Sequence, residues 1–152
     1  MKASAQPDSR RQVISFLLES ELMGFDLKYL EKVLEAGEFS FVPRAPSFLR
    51  GAINHHGKVI AAVDLRGFLG MGPAPIGLDS RILVLSGEEY QLGFLVDRVV
   101  RIETVPSIGP LVQAPEPGES NPYISRMINL GGRVLNLIDM EKLLLEIENY
   151  FA

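Results

Sequence analysis

The chain contains no cysteine. That excludes disulfides, thiolate catalysis and cysteine-based zinc sites, and it fits a reducing compartment. It also lacks any run of about 18 apolar residues, so no bilayer-spanning helix is expected. The N-terminal stretch MKASAQPDSRRQ has no apolar core and does not read as a signal peptide. Nor is there a basic excess: 15 Lys and Arg stand against 19 Asp and Glu, for a formal net charge of −4. Nucleic acid and anionic membranes call for a basic patch, so neither is an expected partner. What remains is a cytoplasmic protein. Its 152 residues suffice for one ordinary domain or two small intertwined ones, and 47% hydrophobic residues can supply a sizeable core.

The chain does contain a repeat. Ile53-Asn54-x-x-Gly57-Lys58-Val59-Ile60-x-x-Val63-Asp64-Leu65 returns as Ile128-Asn129-x-x-Gly132-Arg133-Val134-Leu135-x-x-Ile138-Asp139-Met140. The offset is a constant 75 residues, 54 to 129 and 64 to 139. Two copies of one supersecondary unit are implied. In each copy a strand ends at the Ile-Asn pair. A tight turn with a permissive glycine follows, then an apolar return strand, then an aspartate placed to cap a helix. The first helix, 65–69, is short. The second, 140–151, carries Met140, Leu143, Leu144, Ile147 and Phe151 on one amphipathic stripe.

Further hairpins are expected from Val13–Leu18 with Leu22–Leu27, and from Arg81–Ser86 with Tyr90–Val96. A helical turn over 29–35 leads into a strand, Phe39–Val42 alternates like a strand, and Ser47–Arg50 can make one helical turn. Asp97–Val105 continues as a strand after a kink. GMGPAP, at 70–75, reads as a linker, and proline-rich Pro106–Pro122 reads as a long loop. Residues 1–12 are expected to be a disordered lead-in. Short strands, glycine turns and little helix favour small barrels. The expected division is 13–70 and 78–140, followed by the helix 140–151.

No catalytic, cofactor or metal site emerges. His55-His56 are the two histidines of the chain. Neighbours on a strand point to opposite faces, so the pair is read as a turn with one partner-facing imidazole rather than a metal site. Gly51–Lys58 superficially resembles a phosphate loop, but five residues separate its glycines and Val59 stands where Ser or Thr must reach magnesium. Asp64 and Asp139 read as helix caps rather than a catalytic carboxylate pair. Glu88-Glu89 reads as a solvated turn. Val33, Val96 and Val99, apolar residues near strand ends, read as core from the residues alone. Gly51 and Gly57 serve either turn geometry or close approach of a partner.

Several runs together resemble the CheW-like domain family of bacterial chemotaxis adaptors. They are Val42-Pro43-x-Ala45-Pro46-x-Phe48-x-x-Gly51, then Ile53-Asn54, Gly57 and Val63-Asp64-Leu65. Leu92-Gly93-Phe94, Val96-Asp97-x-Val99 and Asp139-x-x-Lys142-Leu143-Leu144 follow in order, covering nearly everything from Val13 to Leu145. The resemblance implies a mainly β fold of two intertwined five-stranded SH3-like barrels with short helices and a C-terminal amphipathic helix. It implies a non-catalytic coupler without a cofactor. Its partners would be the regulatory domain of a CheA-type histidine kinase and the cytoplasmic tip of a chemoreceptor. An adaptor of another CheA-type pathway, in twitching motility or gene control, is the alternative. A small β-barrel enzyme or ligand-binding protein is the reading from another class. The partner-binding residues implied are Val33, Glu35, Gly51, His56, Gly57, Val96 and Val99. The family usually has arginine where this chain has His56, paired with a glutamate at about Glu35. A His56–Glu35 pair would be weaker and pH-dependent.

Overall fold

The computed structural model describes residues 10–87, 91–106 and 121–150. The strands are β1 (Arg10–Leu18), β2 (Glu21–Asp26), β3 (Leu30–Glu35), β4 (Leu49–His55), β5 (Lys58–Asp64), β6 (Arg81–Leu85), β7 (Gln91–Val96), β8 (Arg98–Pro106), β9 (Ile124–Leu130) and β10 (Arg133–Ile138). The helical turn expected over 29–35 lies earlier, as a 3-10 turn at Leu27–Tyr29, and the rest of that segment is strand β3. Helices α1 (Leu65–Phe68) and α2 (Met140–Asn149) follow β5 and β10.

Two five-stranded sheets result, in the orders β9-β10-β2-β1-β8 and β3-β6-β7-β5-β4. Hairpin neighbours pair antiparallel, while β10 runs parallel to β2 and β5 parallel to β7. The first sheet therefore draws strands from both ends of the chain, and the second is built from its middle, β3 to β7. The expected division at 13–70 and 78–140 does not follow the sheets. The two parallel pairings, made between the halves, override the linker at 70–75.

The sheets share one core and each keeps a smaller one. Val13, Leu22, Val105, Ile128, Leu135 and Leu137 fill the first sheet's own core. Ile60, Ala62, Ala74, Ile82, Val84 and Leu95 fill the second's. Ile14, Phe16, Phe25, Leu83, Leu85, Phe94 and Val96 lie between the sheets with Met140, Leu143 and Ile147 of α2. Successive side chains on a strand face opposite ways. Val13 therefore serves one core and Ile14 the other, as do Ile82 and Leu83. Strands buried on both faces must be apolar at almost every position, which accounts for the unbroken runs VISFLL and RILVL. Phe25 joins the sheets, edge-on to Phe16 at 5.8 Å and to Phe94 at 6.1 Å.

Both copies of the repeat form as expected. His56 (φ 52°) with Gly57 (φ 81°), and Gly131 (φ 61°) with Gly132 (φ 94°), supply the paired positive φ of a two-residue hairpin turn. Asp64 Oδ1 accepts from the Gly67 amide at 3.1 Å, and Asp139 Oδ1 accepts from the Lys142 amide at 3.1 Å. Asp64 is almost wholly buried and holds more. Its Oδ2 accepts from the Ala74 amide at 2.9 Å and lies 3.6 Å from Arg50 Nη1. The linker is thus pinned to the second sheet's core.

Local departures have plain causes. Residues 10–12 of the expected lead-in are already strand, because β1 pairs with β8 from Arg10 opposite Pro106. Phe39–Val42 forms only an isolated bridge, Ser40 with Ala52. Pro43 beyond it lacks an amide donor, and Arg44 turns at φ 60°. In place of a helical turn at 47–50, Leu49 donates to the Pro46 carbonyl at 3.0 Å and β4 begins. Glu88-Glu89, residues 107–120 of the expected loop, and Phe151 lie outside the described residues. No helix among the described residues is long and apolar enough to cross a membrane.

Candidate functional site

Strand β3 is one edge of the second sheet and β4 the other. The sheet curls until these edges approach. The segment after β3 crosses to β4, where Ser40 donates to the Ala52 carbonyl at 2.8 Å and Ala52 donates back at 2.9 Å. This closure sets Lys32 of β3 close enough to act electrostatically on His55 of β4. One end of the barrel thus combines an edge strand and the β4–β5 turn.

Along β3, Leu30, Lys32 and Leu34 are half-buried, while Glu31, Val33 and Glu35 are exposed. Val33 is 41% exposed, a large apolar side chain left in solvent. Glu35, two residues on, shares its face and stands opposite Arg81 in the strand register. At the turn, His56 and Gly57 are exposed. Val59 beyond them is 62% exposed, because the adjacent Ile60 takes the core position.

The two histidines do not face apart. Their rings stack with centroids 4.1 Å apart and planes 13° from parallel. His56 is a turn residue with positive φ, so the strand rule of opposite faces does not hold there. Partial burial first, then the charges on His56 and Lys32, hold His55 below the usual imidazole range. Glu31 is held below the usual carboxylate range. A long contact with the Gln91 carboxamide leads, with the Lys32 and Lys58 charges adding to it against partial burial. That contact is too loose to satisfy the buried Gln91 amide. Among the described residues no ion pair joins His56 to Glu35, and no group of three or more His, Asp or Glu could hold a metal ion.

Val33, Glu35, His56 and Gly57 therefore share the second barrel's edge and adjoining turn. Val96 does not join them. It is 0% exposed in the shared core, because β7 is buried on both faces, and it cannot meet a partner. Gly51 is also buried. A Cβ there would lie 2.6 Å from both Phe39 Cβ and the Ser40 carbonyl oxygen, so the glycine admits the crossing segment rather than a partner. Val99 is half-buried on β8, packed against the shared core from the other sheet's edge.

Sequence reasoning missed two features. Lys32 acts on His55, and only the closure of the barrel brings β3 to the turn. The second is a clamp between the barrels. Arg66 of α1 bridges Asp97 and Glu19, both at 3.1 Å, and Asp97 accepts from the Glu19 amide at 2.6 Å. Asp97 is the residue at which the chain leaves one sheet for the other.

A family model described as a CheW-like domain matches residues 12–148. The chain is 27% identical over 147 residues to the chemotaxis protein CheW of Thermotoga maritima, covering 97% of this chain and 96% of that one. It is 28% identical over 147 residues to protein FrzA of Myxococcus xanthus, covering 95% and 90% respectively. The fold resembles the crystal structure of scaffolding protein TtCheW from Thermoanaerobacter tengcongensis. The TM-score is 0.72 at 24% identity, over 91% of this chain and 90% of that one.

Proposed function

The chain belongs to the CheW-like domain family, and from that premise we propose that it couples the cytoplasmic tip of a chemoreceptor to the regulatory domain of a CheA-type histidine kinase. It is a non-catalytic scaffold adaptor of chemotaxis-type signalling. Its chemistry is binding. Holding receptor and kinase on one body raises their effective concentration and biases the kinase between conformations without any bond being made. The adaptor works in the cytoplasm, where the receptor tip lies.

Exposed Val33 carries the reading of the receptor face. A helix-in-groove contact needs apolar side chains left in water until the partner arrives. Val33 meets that need beside a turn bearing an imidazole and a side-chain-free glycine, with Val99 at the edge of the neighbouring sheet. Each interface is modest, at or below about 1,600 Å² in total. A relative named FrzA rather than CheW favours a second reading, the same adaptor role in another CheA-type pathway.

Titration calorimetry against the regulatory domain of a CheA-type kinase from the same genome tests the coupling. Saturable one-to-one binding is expected, and absence of binding to every encoded kinase overturns it. Val33→Glu should abolish receptor coupling and leave the far-UV spectrum and urea midpoint near those of the parent. Unfolding of that variant would show Val33 to be core.

A further inference from the structure

Both histidines of the chain occupy one turn. Imidazole is the side chain whose ordinary pKa lies between about pH 5 and 8. The protein's response to pH in that range is therefore concentrated at the β4–β5 hairpin tip. The geometry there is specific: two rings in face-to-face contact at 4.1 Å, one of them on a positive-φ residue. Lys32 of β3 acts on His55, and Lys58 of β5 stands opposite it in the strand register. On β3, Glu31 pairs with Lys32 at 3.5 Å, and Glu35 lies further along the strand. The charges that the fold sets directly against His55 are thus cationic.

We propose that the stacked His55–His56 pair is a proton-responsive contact that strengthens docking of an acidic, carboxylate-bearing receptor tip as pH falls. The proposal rests on the docking reading above. In the free protein partial burial, then the neighbouring His56 ring and Lys32, oppose a proton on His55. A partner's carboxylates laid against the tip offset that repulsion and favour the imidazolium form. Binding then takes up protons, and by linkage affinity rises as protons become more available. If docking raises the pair's affinity for one proton by one pKa unit, affinity rises about fivefold between pH 7.5 and pH 5.5. The tip is exposed, so the gain shrinks at high salt.

The test uses the full chain and a soluble fragment of the receptor's cytoplasmic tip, with affinity measured across that pH range at low salt and again near about 0.5 M salt. The expected result is roughly fivefold tighter binding at the acidic end at low salt, a reduced slope for either His55→Gln or His56→Gln, and a flat profile for the double variant. Proton NMR of the free protein should show His55 titrating below the usual imidazole range and moving back toward it in His56→Gln. A His55 curve that His56→Gln leaves unchanged, or binding that is flat or weaker at the acidic end, overturns the proposal while leaving the docking reading in place. No binding at any pH overturns the docking reading and the switch with it.

Discussion

Gly51→Ala should destabilise the protein severely without touching any partner surface. The added Cβ would sit 2.6 Å from Phe39 Cβ and 2.6 Å from the Ser40 carbonyl oxygen, neither of which is a flexible side-chain tip. The crossing segment must retreat, which strains the reciprocal Ser40–Ala52 hydrogen bonds of 2.8 and 2.9 Å. Overpacking of this kind costs about 1–3 kcal/mol, and each weakened hydrogen bond about 1 kcal/mol. Gly51 also holds φ at 149°, where L-residues are rare, a further cost of about 1–3 kcal/mol. These costs overlap, because retreat of the segment relieves the clash while it weakens the bonds. A net loss of about 4 kcal/mol is expected. For a chain of this size that corresponds to about 8–16 °C in Tm. Urea unfolding followed by far-UV circular dichroism measures it, with an unchanged slope showing that the denatured state is not the cause. Gly57→Ala is the control. Gly57 also has positive φ, 81°, but a Cβ there meets nothing within 4 Å, so its loss should be about 1 kcal/mol. Equal midpoints for the two variants would refute the reasoning. So would a Gly51→Ala protein that unfolds like the parent but fails to bind the receptor.

The repeat offers a matched pair of perturbations. Asp64→Ala orphans two amides in a buried site, leaves Arg50 only its bond to the Ala74 carbonyl, and should cost about 3 kcal/mol. Asp139→Ala removes one cap at a half-exposed site and should cost about 1 kcal/mol by the same urea assay. Val96→Glu puts a carboxylate into the shared core and should leave little folded protein by circular dichroism, in contrast to Val33→Glu. Because folding holds His55 below its usual range, the unfolded chain binds the proton more readily there. Stability should therefore fall as pH drops below the ordinary imidazole value near about 6.5, by an amount smaller in His55→Gln, as Tm against pH will report.

What could be read from sequence was local. The two hairpin-and-capped-helix units follow from turn glycines and capping aspartates a few residues apart, and both formed. The assignment of strands to sheets was not readable, because β10 beside β2 and β5 beside β7 are contacts between distant segments. The valines show the same limit. Val33 is in phase with Glu31 and Glu35, so its exposed face was readable from alternation alone. Val96 lies in a strand apolar on both sides, where alternation carries no information. Gly51 looked like a turn glycine because the segment that crowds it, residues 39–40, approaches through the fold. His55 and His56 defeated the strand rule because His55 still ends β4 while His56 lies in the turn at positive φ.

The candidate residues that remain accessible share a topological address. Val33 and Glu35 lie on β3, His56 and Gly57 follow β4, and Val99 lies on β8, and all three strands are sheet edges. The central strands β1, β6 and β7 bury both faces to build the shared core, so they have no surface to give a partner. Recognition is thereby confined to edges, and edges are hazardous: an apolar edge strand invites pairing with another copy. Strand β3 meets both demands at once. It shows Val33, but flanks it with Glu31, Lys32 and Glu35, and its register slips between Leu30 and Lys32. A charged, bulged edge disfavours strand-to-strand addition while leaving the valine available to a helix, which contacts side chains and needs no backbone partner. The features that keep this edge from self-association are thus ones that, on the proposed receptor contact, favour a helical partner over a strand.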